Sequence, residues 1–183
     1  LEFRRVLFRS VMLMRRAPQP IIALVQGAAA GGGFALALAA DIRIAAKNAR
    51  MNCAFIKLGL GGCDIGTSYF LPRLVGVSVA SELILTGRFI NADRALAVGL
   101  VSEVVEPTDL DAAANPYVDA MMTASPVGLR LSKECINMSV DAGSIEAVIA
   151  MEDRNQVLCS RSEDFQEGIR AFLEKRKPVY IRR

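Results

Sequence analysis

The stretch from Pro20 to Ala46, PIIALVQGAAAGGGFALALAADIRIAA, constrains the fold of this chain more than any other. It begins and ends with short β-branched, apolar runs that are typical of buried strands. Between these runs lie three consecutive glycines, Gly31, Gly32 and Gly33, followed by FALALAAD, an apolar segment of strong helix formers. The stretch therefore predicts a strand, a glycine turn, a buried helix and a second strand.

Three glycines before a helix are costly in backbone entropy. One reason to keep them is that they leave peptide N–H groups bare at a helix start, where the macrodipole favours a phosphate, a carboxylate or a developing oxyanion. The stretch does not fit G-x-G-x-x-G, and Gly33 and Phe34 stand where a P-loop needs Lys and Ser or Thr. A turn that only lets the helix pack closely on a sheet remains the alternative.

Local signals predict several helices in the rest of the chain. Asn91, Ser125, Ser144 and Ser162 are predicted N-caps, and Gly76 is predicted to end a helix that starts near residue 65. The segment 109–123 is a further helix candidate, weakened by a proline at position 116.

Four segments of the chain resemble one known family. QGAAAGGGFALALAADIRIAA resembles the central segment of the crotonase superfamily, the enoyl-CoA hydratase/isomerase family, and IKLGLGGCDIGTSYFLPRLVG, ELILTGRFINADRALAVGLVSEVV and FQEGIRAFLEKRKP follow in the family's order and spacing. The resemblance implies an α/β fold, a crotonase-like spiral of ββα units followed by a C-terminal helical region that packs on neighbouring subunits. It also implies a homotrimer or hexamer and an acyl-CoA substrate, with coenzyme A as part of that substrate and no metal or other cofactor.

The resemblance assigns a role to the glycine turn. By position, Gly32 matches the backbone N–H donor of the family's oxyanion hole, which holds a thioester carbonyl. Gly31, Gly33 and Phe34 are then expected to contact the substrate beside it.

Both glutamates that the family's hydratases use are replaced, by Ala35 and Phe55. Neither side chain can transfer a proton, so hydration is in doubt and Phe55 is expected only to contact the substrate.

Asp64 is the remaining carboxylate of the region, and CDIGTSYFLPRLVG resembles the dienoyl-CoA isomerase branch, whose catalytic Asp sits at this place. We therefore expect isomerase-type proton transfer through Asp64. An N-cap role for Asp64, and a non-catalytic acyl-CoA-binding or assembly protein, are the alternatives.

A basic run, Lys175, Arg176 and Lys177, lies near the end of the chain. It suits a solvated helix end, where cations interact favourably with the dipole. The resemblance offers a second role, in which Lys175 contacts the CoA phosphates of an adjacent subunit and Phe172 lies beside the adenine end.

The first ten residues, LEFRRVLFRS, show no period that continues into the next segment, and their back-translation resembles a sequencing adapter. We expect residues 1–10 to be a non-native artefact, 11–107 to be the C-terminal part of the spiral core, and 108–183 to be the helical C-terminal region. In the family, earlier strands and a second oxyanion donor precede the Pro20 strand, and this sequence offers no candidate for them.

Composition narrows the function further. The chain has no His, which excludes Ser-His and Cys-His catalysis and His-containing zinc sites. Its four cysteines form no C-x-x-C, so buried free thiols in the cytoplasm are expected. Without residues 1–10 the net charge falls from +3 to +1, which gives no reason to expect nucleic-acid binding. No apolar run is uninterrupted enough to predict a membrane span.

Overall fold

The structure is a computed structural model that describes residues 2–180, with side chains from Arg5 onward. The chain forms two compact units. The first comprises Ile21–Ala114 and the chain before Pro18, and the second comprises Pro18–Pro20 and the chain from Asn115 onward.

The first unit combines strands with helices. Its helices are α1 (Glu2–Arg16), α2 (Gly32–Ala39), α3 (Thr67–Thr86), α4 (Ala92–Ala97) and α5 (Leu110–Ala113). Its strands are β1 (Ile22–Val25), β2 (Ala28–Ala30), β3 (Ile42–Ala46), β4 (Arg50–Asn52), β5 (Ile90–Asn91) and β6 (Glu103–Val105). Short 3₁₀ turns follow β4 and β6, at Ala54–Leu58 and Pro107–Asp109. Because α5 contacts β3, this unit continues past residue 107.

The strands form two three-stranded sheets. In the first, with the order β1-β3-β6, all strands are parallel and Ile22 lies opposite Ile42. In the second, with the order β2-β4-β5, β2 runs parallel to β4 and β5 runs antiparallel to it. The predicted strand, turn, helix and strand are therefore confirmed as β1, the glycine turn, α2 and β3. Strand β2 was not predicted, because three alanines carry little β preference and only the pairing with β4 makes them a strand.

Helix α2 is buried in the core, as its composition predicted. Five of its eight residues are buried, and they are apolar on every side of the helix: Phe34, Ala35, Ala37, Leu38 and Ala39. A helix that is apolar all round needs neighbours on every face. Those neighbours include α1, α3 and β2.

A buried arginine holds the C-terminal end of α2. Arg43, on β3, donates from Nη1 to the carbonyl of Ala40 at 2.6 Å, and the same atom lies 3.5 Å from the carbonyls of Ala37 and Leu38. Its Nε donates to the carbonyl of Leu100 at 2.8 Å. These carbonyls include helix-end acceptors that have no intrahelical partner. Burial, and then the nearby Arg15, lower the pKa of Arg43 from its ordinary value.

Asp41 joins the starts of β1 and β3. Its Oδ2 accepts from the backbone N–H of Ile21 at 2.8 Å, and Oδ1 lies 3.4 Å from Nη1 of Arg15. Asp41 therefore has a structural role where both strands begin.

Helix α1 runs without a break through residue 10. The expectation that no helical period crosses this point was wrong: Leu7, Val11 and Met14 recur at helical spacing and pack with the buried Ala35 and Ala39 of α2. Residues 1–10 alone do not reveal this apolar stripe, because Val11 and Met14, two of its three residues, lie after residue 10. The non-native origin of residues 1–10 stays a prediction.

Helix α3 is two helical segments joined at Gly76, as predicted. Gly76 has φ 78° and ψ 160°, which no helix contains. By length and composition alone α3 is apolar enough to cross a membrane. The break leaves neither segment with the roughly 20 uninterrupted residues that a spanning helix needs, and Leu71, Ala80 and Leu83 lie in the core.

The second unit is helical in its described part. Its helices are α6 (Asn115–Met122), α7 (Pro126–Ser139), α8 (Ile145–Ser160) and α9 (Glu163–Leu173). The predicted N-caps Ser125, Ser144 and Ser162 are confirmed, each accepting a hydrogen bond from a backbone N–H three residues on. The single helix predicted for 109–123 was wrong: Pro116 lies in the first turn of α6, where a missing N–H costs nothing, and α5 ends before it. An α/β fold with a C-terminal helical region is thus confirmed.

Replacing Arg43 by Met should lower the free energy of unfolding by about 2–4 kcal/mol, because it strands several buried carbonyls without donors. Urea unfolding followed by circular dichroism measures this change. Arg88→Met is the matched control: Arg88 is exposed, and its replacement should change stability by at most about 0.5 kcal/mol. Equal midpoints for the two variants would contradict the role given to Arg43.

Candidate active site

The glycine turn begins with a residue that only glycine suits. Gly31, the N-cap of α2, has φ 53° and ψ −111°. Its N–H donates to the carbonyl of Asn52 at 3.0 Å. A Cβ on Gly31 would lie 3.3 Å from Cε1 and Cζ of Phe55. The backbone conformation therefore strains any side chain here, and the Phe55 ring would have to shift by a few tenths of an ångström to admit one.

The next three peptides supply donors. Ala35 is the first residue of α2 whose N–H bonds back along the helix, to the carbonyl of Gly31 at 2.9 Å. The N–H groups of Gly32, Gly33 and Phe34 precede it and have no intrahelical acceptor. They lie at the positive end of the helix dipole, which favours an anion or a developing oxyanion.

The surroundings of these donors differ. A Cβ on Gly32 would lie 2.8 Å from Cδ1 of Leu7, whereas one on Gly33 would meet no atom within 4 Å. The side chain of Phe34 is fully buried in the main core, so only its peptide group is left for a ligand.

The two positions at which the resemblance places the hydratase glutamates, Ala35 and Phe55, are apolar and packed. Ala35 is fully buried and clusters with Val11, Ala39 and Ile65, and Phe55 packs against the same cluster. Neither Ala35 nor Phe55 provides a carboxylate beside the glycine turn, and the packing around Ala35 leaves no room for water.

Asp64 lies in a tight turn before α3. Its carbonyl accepts from the N–H of Thr67 at 3.0 Å and from its Oγ1 at 2.8 Å, and its Oδ1 accepts from the N–H of Ile65 at 2.9 Å. The N-cap interpretation was wrong, because Gly66 in the left-handed conformation precedes the helix and is its N-cap. The neighbouring Ile65 reaches Gly32: its Cδ1 lies 3.9 Å from where a Gly32 Cβ would stand.

Phe172 and Lys175 belong to the second unit. Phe172, on α9, is 83% exposed, and Lys175 follows the helix at φ 53° with an exposed side chain. Of the basic run, Arg176 is engaged: it donates to both carboxylate oxygens of Glu167, at 2.6 and 3.0 Å, and to Glu174 at 2.5 Å. The hydrogen bonds from Arg176 to Glu167, together with one from the Val179 N–H, lower the pKa of Glu167 to about 2.

Sequence reasoning missed Asn52. It is 4% exposed, its carbonyl holds the Gly31 N–H, and its Nδ2 donates to the carbonyl of Gly87 at 3.0 Å. Its Oδ1 has no hydrogen-bond partner among the described residues. A polar residue inside the apolar run MNCAF was the available signal.

The cysteines are free thiols, but only Cys53 is fully buried, so the expectation of four buried thiols was partly wrong. Burial raises the pKa of Cys53 to about 11 and keeps it protonated near neutral pH. Within the described part of the chain, no three His, Cys, Asp or Glu side chains are grouped to hold a metal ion.

The profile of the enoyl-CoA hydratase/isomerase family matches residues 2–183. The chain belongs to this family. It is 39% identical over 170 residues to the short-chain-enoyl-CoA hydratase of Clostridium acetobutylicum, covering 93% of this chain and 63% of that protein. It is 38% identical over 170 residues to the 1,2-epoxyphenylacetyl-CoA isomerase of Escherichia coli, covering 93% and 64%. The chain spans about 60% of the length of the curated relatives it matches.

Solved structures of the family share the fold. The enoyl-CoA hydratase of Bacillus anthracis superposes with a TM-score of 0.92 at 35% identity, covering 96% of this chain and 67% of that one. An enoyl-CoA hydratase from Polaromonas gives 0.91 at 35% identity, covering 97% and 68%. The predicted crotonase-like fold is thereby confirmed.

Alanine substitutions separate the roles of the glycines. Gly33→Ala should leave stability unchanged or raise it by up to about 1 kcal/mol, because helix interiors favour Ala and the space is open. Gly31→Ala should cost at least about 1–2 kcal/mol because of its positive φ. Thermal unfolding of both variants checks the order, and a Gly31→Ala protein as stable as Gly33→Ala would contradict it.

Proposed function

We propose that this protein isomerises an enoyl- or dienoyl-CoA thioester by proton transfer. The N–H of Gly32 donates to the thioester oxygen as the enolate forms, and the Asp64 carboxylate removes a proton from one carbon and returns it to another. The double bond moves, no atom is gained or lost, and coenzyme A takes part only as a portion of the substrate. No metal or redox cofactor enters the step.

The observation that carries this proposal is the packing of Ala35 and Phe55. Hydration requires a water activated on one face and a proton delivered at the α-carbon, and in the family's hydratases both tasks fall to glutamates. Here a fully buried methyl and a phenyl ring occupy those positions. Isomerisation needs only one carboxylate and an oxyanion donor, and both residue types are present in the first unit.

The names of the relatives are compatible with either chemistry, since one is called a hydratase and another an isomerase. A second function, binding of acyl-CoA without catalysis, is favoured by the same missing carboxylates. The two functions differ in what they require of Asp64, because a binding protein has no use for a general base.

For the coenzyme A portion of a substrate bound by an adjacent subunit, we propose Phe172 and Lys175. The exposed Phe172 ring offers a stacking surface for adenine, and the exposed Lys175 ammonium suits a phosphate. Arg176 is bound to Glu167 and Glu174, so the phosphate contact falls to its neighbour. We also place the protein in the cytoplasm, where free thiols persist.

The protein encoded by the complete natural gene should hydrate crotonyl-CoA negligibly yet exchange an α- or γ-proton of an enoyl-CoA with solvent deuterium. Asp64→Asn should slow that exchange by about 10²–10⁴ because it removes the base. Loss of enoyl thioester absorbance measures hydration, and NMR in D₂O measures exchange.

Asp93→Asn, a change at an exposed aspartate on α4, is the matched control and should leave exchange unchanged. Hydration near the rate of ordinary hydratases would overturn the isomerase proposal. Exchange that Asp64→Asn leaves intact would remove Asp64 from the mechanism, and acyl-CoA binding with no exchange at all would favour the non-catalytic function.

The same protein should sediment as a homotrimer or hexamer. The second unit exposes large apolar side chains on α7, α8 and α9, which subunit contacts would cover: Ile136, Met138, Ile145, Ile149, Leu158 and Leu173. Sedimentation velocity reads the mass directly. A monomer at micromolar concentration would contradict this expectation.

A further inference from the structure

The turn that carries Asp64 has an unusual sequence for its shape. The N–H of Thr67 donates to the carbonyl of Asp64, and the two central residues, Ile65 and Gly66, both have positive φ, 52° and 87°. Turns with two positive φ values are of the I′ kind and take Asn, Asp or Gly at the first central position. A β-branched residue there is a genuine outlier.

The side chain of Ile65 explains how this backbone persists. It is 5% exposed and lies in one cluster with Val11 and with Ala35 and Ala39 of α2. Its Cδ1 lies 3.9 Å from the position of a Cβ on Gly32. A strained conformation is kept only when its surroundings over-determine it, and here the buried side chain does so.

Gly66 fixes the turn from the other side. A Cβ on Gly66 would lie 2.8 Å from Cε2 of Phe70, so the turn packs directly on that ring. The peptide N–H of Ile65 then points at Oδ1 of Asp64 and donates to it at 2.9 Å. The orientation of the carboxylate thus depends on the conformation that the Ile65 side chain holds.

We propose that Ile65 is the positioning residue of Asp64. Its side chain ties the Asp64 turn to the cluster beside Gly32, and its peptide N–H fixes the orientation of the carboxylate. This inference rests on the proposed function, since it assigns Ile65 a task only if Asp64 moves the proton.

The test compares Ile65→Val with Ile65→Gly in the complete protein, each with Asp64 intact and with Asp64→Asn. Val keeps a β-branched side chain in the cluster, and Gly suits the turn but removes the side chain. With Asp64 intact, Ile65→Gly should lower kcat for proton exchange by about tenfold or more with KM changed less than about twofold, whereas Ile65→Val should stay within about threefold. With Asp64→Asn, Ile65→Gly should change the residual rate by less than about twofold.

The other possible results would overturn either the role of Ile65 or the proposed function. An equal loss with and without Asp64 would mean that Ile65 is only structural, and an unchanged kcat in Ile65→Gly would likewise overturn the inference. Both results leave the proposed function standing if Asp64→Asn alone abolishes exchange. If Asp64→Asn alone has no effect, the proposed function fails first. Should Ile65→Gly not fold, as judged by its thermal transition, Ile65→Asn takes its place because Asn also tolerates positive φ.

Discussion

The hydrogen bonds of Arg43 at the end of α2 are the interaction on which the rest of the first unit depends. Helix α2 has no polar side chain of its own that could donate to the carbonyl of Ala40 at its end. The guanidinium of Arg43 does so from β3 and also reaches the carbonyl of Leu100, just before β6. One side chain therefore joins the end of the helix to the sheet of β1, β3 and β6.

The opposite end of α2 is held by the backbone. Gly31 donates to the carbonyl of Asn52 on β4, so the helix is tied to one sheet at its start and to the other at its end. Donors that stabilise an oxyanion are effective because they need no reorganisation during the reaction. A short helix fixed at both ends, with small residues at its start, meets this requirement without contributing a catalytic side chain.

Features encoded locally could be predicted from the sequence, and features set by distant partners could not. The glycine turn, the break at Gly76 and the serine caps each depend on the preference of one or two residues. Strand β2, the role of Arg43 and the positive φ of Ile65 each depend on a partner far along the chain. In the candidate site, the family pattern singled out Gly32 and Asp64, but Ile65 looked like an ordinary apolar residue.

Apolar residues at both positions that the resemblance assigns to the hydratase glutamates suit the packing around them. A lone carboxylate at Ala35 would lie in the cluster of Val11, Ala39 and Ile65, where burial disfavours its charged form and no partner compensates it. A glutamate at Phe55 would remove the ring that packs against Gly31 and against the same cluster. The cluster thus favours an apolar residue at each of the two positions. In the mechanism proposed above, proton transfer therefore falls to a carboxylate outside the cluster, and Ile65 links the turn that carries Asp64 to the edge of that cluster.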